Sequence, residues 1–163
     1  MMLRKTTPPR PVEIQIDDPA WRRHGTELTA QIKRSARLAF LCAEPANANG
    51  GLTVLLTGDE RVRALNRDHR GKDKPTNVLS FPSRAPGYLG DIAIASGVAA
   101  REANAAGLSL TDHVLHLVVH GVLHLLGYDH ESPAEAEDME LLEAKILAEM
   151  NIPNPYLRRG AIA

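Results

Sequence analysis

Three histidines in the C-terminal half of the chain have the spacing of a metal site. The segment "HGVLHLLGYDH" runs from His120 to His130, with His124 between them and Gly127 three residues before its end. Histidines four residues apart on a helix have β-carbons about 6 Å from each other, so two imidazoles can reach one cation. A third ligand must come from beyond a turn, which Gly127 permits. Three neutral imidazoles would leave the fourth position of Zn²⁺ open, as in catalytic sites.

The residue after the first histidine limits the chemistry of such a site. The spacing HExxHxxGxxH marks one class of zinc metalloproteases, whose glutamate takes a proton from the attacking water. Gly121 occupies the position of that glutamate. Because the site also lacks a carboxylate ligand, it keeps its positive charge and suits an anionic phosphodiester better than a neutral peptide.

Other ionisable residues near this segment are candidates for supporting roles. His113 and His116 continue the histidine stripe toward the helix N-terminus. His116 is either a partner of a ligand histidine or a packed side chain, and we expect His113 to be incidental. Asp129 and Asp91 could orient a ligand or accept a proton, but a structural role is an equal alternative for each.

A basic segment upstream could contact phosphate groups. It contains three arginines spaced four and three apart, which would share one helical face, followed by two lysines in a polar loop. Such a face could bind phosphates through charge-assisted forks, although it is commonly only solvated. The residues are Arg63, Arg67, Arg70, Lys72 and Lys74. Aromatic residues make up only 4% of the chain, so we expect weak base preference, with Phe81, Tyr88 and Tyr128 as the stacking candidates.

The elements that must position these residues follow from hydrophobic periodicity. Strands are predicted at "VEIQID", "LTVLLT", "NVLSF" and "GDIAIA", and helices between and after them in the order βαβαββααα. The longest apolar helix runs from about Ser109 to Leu126. We expect an α+β domain with an approximately four-stranded mixed sheet covered by about five helices, and a zinc site at the end of this central helix.

The last predicted helix has one apolar face and one acidic face. It opens at the cap Ser132, and its predicted inner face is Met139, Leu142, Ile146 and Met150. We expect its seven acidic residues, from Glu131 to Glu149, to face water, and contact with a basic ribosomal protein is the alternative. Residues 1–10 and 155–163 are predicted to be flexible, and "EPANANGG" (44–51) is predicted to break the first helix.

Composition narrows the class of protein. The 163 residues suit one domain, and Cys42, the single cysteine, excludes an intramolecular disulfide and any multi-cysteine metal site. No run approaches the roughly 20 apolar residues of a membrane span, so we expect a cytoplasmic protein without membrane association. The net charge of −1 means that RNA binding would depend on a local basic surface.

These motifs together resemble one known family. "HGVLHLLGYDH", "LNRDHRGKDKPTNVLSFP" (65–82) and the strand "GDIAI" are similar to the YbeY family of bacterial endoribonucleases, which are ribosomal RNA maturation factors with one zinc-binding α+β domain. The resemblance extends from the second strand to the last helix. It implies one zinc ion held by His120, His124 and His130, and a functional arginine at Arg70.

The resemblance also implies a substrate and a cellular role. The implied activity is metal-dependent cleavage of single-stranded RNA. The implied roles are processing of small-subunit ribosomal RNA at its 3′ end and ribosome quality control, with the ribosome or its proteins as partners. No activity on DNA is expected. We expect zinc and Arg70 to stabilise the charge of the transition state, while the attacking group, water or the RNA 2′-hydroxyl, stays open. Two alternatives are a non-catalytic, zinc-stabilised ribosome-assembly factor and a zinc metalloprotease or other small-substrate hydrolase.

Overall fold

A four-stranded mixed sheet forms the centre of the fold. The computed structural model describes residues 11–43 and 50–157. In chain order, the elements are β1 (Val12–Ile16), a 3-10 helix (Pro19–His24), α1 (Gly25–Ala43), β2 (Gly51–Thr57), α2 (Asp59–Arg70), β3 (Val78–Pro82), β4 (Tyr88–Ala95), α3 (Ser96–Ala106), α4 (Leu110–Leu125) and α5 (Pro133–Ala148). The α+β class and the element order are confirmed. The predicted flexible segment 1–10 and most of the predicted helix breaker, residues 44–49, lie outside the described residues.

The strand order is β1-β2-β4-β3. The first three of these strands are parallel, with Val54 of β2 opposite Ile14 of β1 and Ile92 of β4. Strand β3 pairs antiparallel with β4 through the short loop 83–87. Helix α1 makes the crossover that two adjacent parallel strands require.

The two faces of the sheet carry side chains of different size. Along β4, Ile92 and Ile94 point into the larger core, which α1, α4 and α5 cover. Ala93 and Ala95 alternate with them and point to the opposite face, where Val62 of α2 packs. The small alanines let α2 lie close to the sheet, so its C-terminal end is held at the β3 edge.

Helix α4 is the central apolar helix, as predicted. Ser109 is its N-cap and accepts a hydrogen bond from the backbone N–H of Asp112. Nine of its sixteen residues are buried, because it lies between the sheet and helices α1 and α5. Its C-terminal end therefore projects its histidines from a rigid position.

Gly121 marks the closest approach of α4 to the sheet. A β-carbon at this position would lie 3.1 Å from two carbons of Ile92 and 3.2 Å from the Ser80 hydroxyl. That hydroxyl also donates a hydrogen bond to the Gly121 carbonyl, at 3.2 Å. Glycine in a helix interior costs about 1 kcal/mol relative to alanine, so close packing gives a physical reason for it here.

None of the described helices has by itself both the length and the apolar composition of a span; α3 and α4 together meet the criterion, but they are bent by 116° at their junction.

Candidate metal centre and adjoining cavity

The C-terminal end of α4 and the turn after it bring three histidines together. His120 and His124 lie on successive turns of α4, which ends at Leu125. Gly127 has φ of +99°, a conformation that side chains disfavour, and the Tyr128 N–H returns to the carbonyl of Leu123 at 3.0 Å. This closed turn directs the chain back so that His130 joins the other two.

The ligand atoms of these histidines fit a single metal ion. One nitrogen from each ring lies within 4.8 Å of the other two. The Nε2 atoms of His120 and His124 are 3.0 Å apart, close to the roughly 3.3 Å that tetrahedral zinc with Zn–N bonds of about 2.05 Å requires. The cluster could therefore hold a metal ion, as the spacing predicted.

Hydrogen bonds to the opposite ring nitrogens orient two of the histidines. Nδ1 of His124 lies 2.9 Å from the backbone carbonyl of Tyr128, which can only accept. Nδ1 of His120 lies 2.5 Å from the carboxylate of Glu143. Each Nδ1 must then carry the proton, which leaves both Nε2 lone pairs facing each other. Such an arrangement is repulsive unless a cation lies between them, and it is typical of metal-binding histidines.

The charge state of His124 agrees with a ligand role. Burial of its ring lowers the pKa below the usual value for histidine, and the neighbouring His120 adds to the effect. The neutral imidazole, which is the form that binds metal, is therefore favoured.

Glu143 is the residue that the sequence analysis placed wrongly. It was assigned to the solvent-facing acidic side of α5, but its side chain is completely buried. Burial raises the pKa of this carboxyl group, but hydrogen bonds from His116, His120 and Tyr156 outweigh it and lower the pKa to about 2. Glu143 is therefore an ionised acceptor behind a candidate metal ligand. A signal existed, since it follows the buried Met139 by four residues and precedes the buried Ile146 by three.

Two further side chains complete the buried network around this carboxylate. His116 Nε2 lies 3.2 Å from Glu143 Oε2 and 3.2 Å from the Tyr156 hydroxyl, which also donates to Glu143. His116 thus contacts Glu143, which is the hydrogen-bond partner of the candidate ligand His120, and it does not belong to the metal-binding cluster itself. Tyr156 belongs to a helical turn, residues 155–157, within the segment that we expected to be flexible. Its contacts join that turn to the buried carboxylate, while residues 158–163 lie outside the described residues.

Arg70 faces the histidines across a cavity. This cavity, which we call the Arg70 cavity, has a volume of about 740 Å³ and is lined by Arg70, Thr76, Tyr128 and all three histidines, among others. Arg70 is the last residue of α2, and Gly71 follows it with φ of +69°. Buried Asn66 fixes the next loop by donating to the carbonyl of Lys74, at 2.9 Å. The structure thus brings together the two motifs that are 50 residues apart in sequence.

The other predicted basic residues do not line this cavity. Arg63 pairs with Asp73 at 2.9 Å, and Arg67 pairs with its neighbour Asp68 at 3.1 Å. Lys72 and Lys74 are exposed in the following loop. Within the described part of the chain, Arg70 forms no ion pair, so its guanidinium is the one that is available to an anion in the cavity.

The remaining candidates have diverse positions. Asp129 lies in the Arg70 cavity, but its carboxylate accepts the backbone N–H of His130 at 2.7 Å, so it supports the turn. Asp91 is exposed on β4 and accepts a hydrogen bond from Tyr88, outside this cavity. Phe81 packs against the ring of His69, with centroids 5.0 Å apart. Of the three aromatic candidates, only Tyr128 lines the Arg70 cavity.

Comparisons with known proteins point to one family. The family model described as "Endoribonuclease YbeY" matches residues 15–151. A relative named "Endoribonuclease YbeY" from Rhodopseudomonas palustris (strain HaA2) is 44% identical over 93% of this chain and 84% of its own length. Another of the same name, from Halorhodospira halophila, is 51% identical over 70% of this chain and 80% of its own length.

A solved structure shares the fold. The solution structure of TM1509 from Thermotoga maritima superposes with a TM-score of 0.58 at 25% identity, covering 86% of this chain and 92% of that chain. The segment that the family model matches, residues 15–151, includes every strand from β2 onward, Arg70, Glu143 and the three histidines. The chain therefore belongs to the YbeY family.

Proposed function

We propose that this protein is a zinc-dependent endoribonuclease that cleaves single-stranded RNA. We further propose that it acts in the cytoplasm on ribosomal RNA, in 3′-end maturation of the small-subunit RNA and in ribosome quality control, together with the ribosome or its proteins. Family membership supports the nuclease activity, since the relatives carry the name endoribonuclease. The observation that carries the proposal is that one cavity contains three histidines with metal-binding geometry and an arginine that forms no ion pair with the described residues.

The electrostatics of the Arg70 cavity favour a phosphodiester. His120, His124 and His130 would hold the zinc ion, and among the residues that the structure describes no carboxylate joins them in the metal-binding cluster. When bound, the ion supplies Lewis-acid chemistry at the scissile phosphate. The guanidinium of Arg70 would bind the non-bridging oxygens and stabilise the negative charge that grows on them in the transition state.

Residues outside the cavity would guide the RNA strand. Lys72 and Lys74 are exposed on the loop that follows Arg70, and they would attract phosphates on either side of the scissile one. Arg63 and Arg67 contribute less because acidic neighbours already pair with them. RNA contact would therefore depend on a small basic surface, in keeping with the net charge of −1.

Peptide cleavage fits this site less well. Position 121 faces the sheet, where even a β-carbon would press on Ile92 and Ser80. A glutamate there would project into the core and not toward the histidines. The protein thus lacks the glutamate base of the HExxH proteases for a packing reason as well as a chemical one.

The test is cleavage of a fluorescent single-stranded oligoribonucleotide, of its duplex and of a casein peptide by zinc-loaded protein. We expect cleavage of the single strand only, and loss of cleavage in His124→Ala. Cleavage that persists in the variant would identify a contaminating nuclease and contradict the proposal. Zinc and RNA binding without cleavage would instead support the non-catalytic assembly factor, and peptide cleavage that His124→Ala abolishes would support a protease.

A further inference from the structure

A second cavity adjoins the candidate metal centre on the side away from Arg70. It has a volume of about 630 Å³, within the usual range of small-ligand sites. Asn77, Val78, His120 and His130 line both this cavity and the Arg70 cavity. We call it the α3 cavity because α3 supplies one wall, with Glu102 and Ala106 among its residues. A strand held across the metal centre would place adjacent groups in the two cavities.

The two cavities differ in charge. The Arg70 cavity contains a guanidinium group beside the carboxylates of Asp129 and Glu131, whereas no lysine or arginine is among the described residues that line the α3 cavity. The carboxylate groups of Glu102 and Glu140 lie along its walls instead. A phosphate group would be repelled there, so the α3 cavity suits the uncharged part of a nucleotide. Ala105, Ala106, Leu117 and Met139 add apolar wall that can contact the flat face of a base.

One carboxylate on the wall is held in place with an oxygen available. His113 Nε2 and the Asn77 side-chain N–H group each lie 3.0 Å from Glu102 Oε1. Asn77 is fixed in turn, because its Oδ1 accepts the backbone N–H of Val78 at 2.7 Å. Oε2 has only a longer contact of 3.4 Å with Asn77, and the Glu102 side chain is still 41% exposed. Oε2 is therefore a prepositioned acceptor for a donor in the cavity.

The chemistry of this acceptor distinguishes the bases of RNA. Adenine, cytosine and guanine carry exocyclic amino groups that donate to a carboxylate. Uracil presents carbonyl oxygens on both sides of its single N–H, and a carboxylate repels them. We propose that the α3 cavity is a base-specificity subsite, in which Glu102 accepts a hydrogen bond from the amino group of the base next to the scissile phosphate. This inference rests on the proposed RNA cleavage.

The inference predicts a base preference that depends on Glu102. Zinc-loaded protein would be given short single-stranded oligonucleotides with one ribonucleotide linkage in a 2′-O-methyl backbone, with each of the four bases in turn on either side of it. At one of the two positions, kcat/KM should be about fivefold higher for amino-bearing bases than for uracil, the effect of one hydrogen bond. In Glu102→Gln the ratio should fall to one or below, because the amide oxygen stays with Asn77 and His113 and the amide nitrogen in place of Oε2 donates to uracil carbonyls but cannot accept from an amino group.

Two further variants keep the test specific. Ala106→Phe should remove the base preference by filling the cavity, because residue 106 is exposed and can accept a larger side chain without changing the core. Glu137→Gln, on the exposed face of α5, should keep the wild-type ratio. Zinc content would be measured in every preparation to separate metal loss from a change in preference.

The outcomes separate the two proposals. Zinc-dependent cleavage with equal rates for all bases at both positions, or a Glu102→Gln variant that slows all substrates equally, would overturn the subsite and leave the proposed function intact. No zinc-dependent cleavage of any oligonucleotide would overturn both.

Discussion

The ends of α4 and α2 face the same cavity but hold their functional groups in different ways. On α4, His120 and His124 are fixed from behind by a buried carboxylate and a backbone carbonyl. On α2, Arg70 is exposed and forms no ion pair within the described chain. Metal binding requires fixed directions for several lone pairs, whereas charge stabilisation requires only one cation within reach. The first site therefore depends on buried partners, and the second depends on being left unpaired.

Removing one ligand should have the largest effect. In His124→Ala, the zinc content should fall from about one ion per chain to nearly none, and RNA cleavage should fall to background, because two histidines cannot complete the site. Metal analysis after dialysis and a cleavage assay on the same sample would measure both. The matched control is His24→Ala, because His24 is an exposed histidine outside the site. Metal retention by a variant lacking all three histidines would contradict the ligand assignment.

Removing the unpaired arginine should affect catalysis alone. Arg70→Ala should lower kcat/KM for single-stranded RNA about 100-fold without loss of zinc, since the guanidinium stabilises transition-state charge. Arg67 lies one turn away and already pairs with Asp68, so we expect Arg67→Ala to lower kcat/KM by less than about threefold. Equal losses in the two variants would mean that Arg70 acts only through general surface charge.

Removing the buried partner should weaken metal binding by a smaller factor. Glu143→Ala leaves His116, His120 and Tyr156 without their shared acceptor. We expect the zinc dissociation constant to rise about 10- to 100-fold and the free energy of unfolding to fall by about 1–3 kcal/mol. Competition with a chelating dye and urea denaturation would measure these changes.

The conservative and control variants distinguish positioning from packing. Glu143→Gln keeps the side-chain volume and one acceptor, so it should recover much of the stability but less of the zinc affinity. Glu137 is exposed on the same helix, so Glu137→Ala should change neither the stability nor the zinc affinity. A folded Glu143→Ala protein with wild-type zinc affinity would show that Glu143 does not orient His120.

The smallest effect concerns the helix that carries the histidines. Gly121→Ala gains about 1 kcal/mol of helix propensity but adds a β-carbon 3.1 Å from Ile92, and such overpacking costs about 1–3 kcal/mol. We expect a net loss of about 1 kcal/mol in unfolding free energy. In an Ile92→Val background, which removes one of the two contacting carbons, the loss should shrink. An unchanged loss in a double-mutant cycle would exclude this contact as its cause.

Local patterns predicted much of the fold and of the histidine cluster. The three histidines and the glycine that turns the chain lie within eleven residues, so helix geometry and one local turn bring them together. The element order followed from periodicity as well. Periodicity did not predict the pairing order of the strands or the approach of Arg70 to the histidines, because these contacts join distant segments.

Glu143 shows where the sequence pattern misled. The rule that acidic residues face solvent placed Glu143 on the wrong side of α5, although its spacing from Met139 and Ile146 matched the buried stripe. Its burial depends on two histidines and a tyrosine from other segments, which satisfy the charge. The hydroxyl group of Tyr156 joins this network across the fold, while its backbone N–H donates locally to the side chain of Asn154, at 2.9 Å.

Reconstitution of metal-free protein with zinc tests the central claim most directly. The rate of cleavage of a single-stranded oligoribonucleotide would be followed while zinc is added in known amounts. The account predicts no cleavage without zinc, and a rate that rises in proportion to added zinc and levels off at about one ion per chain. Cleavage by metal-free protein at the rate of the loaded protein would contradict it.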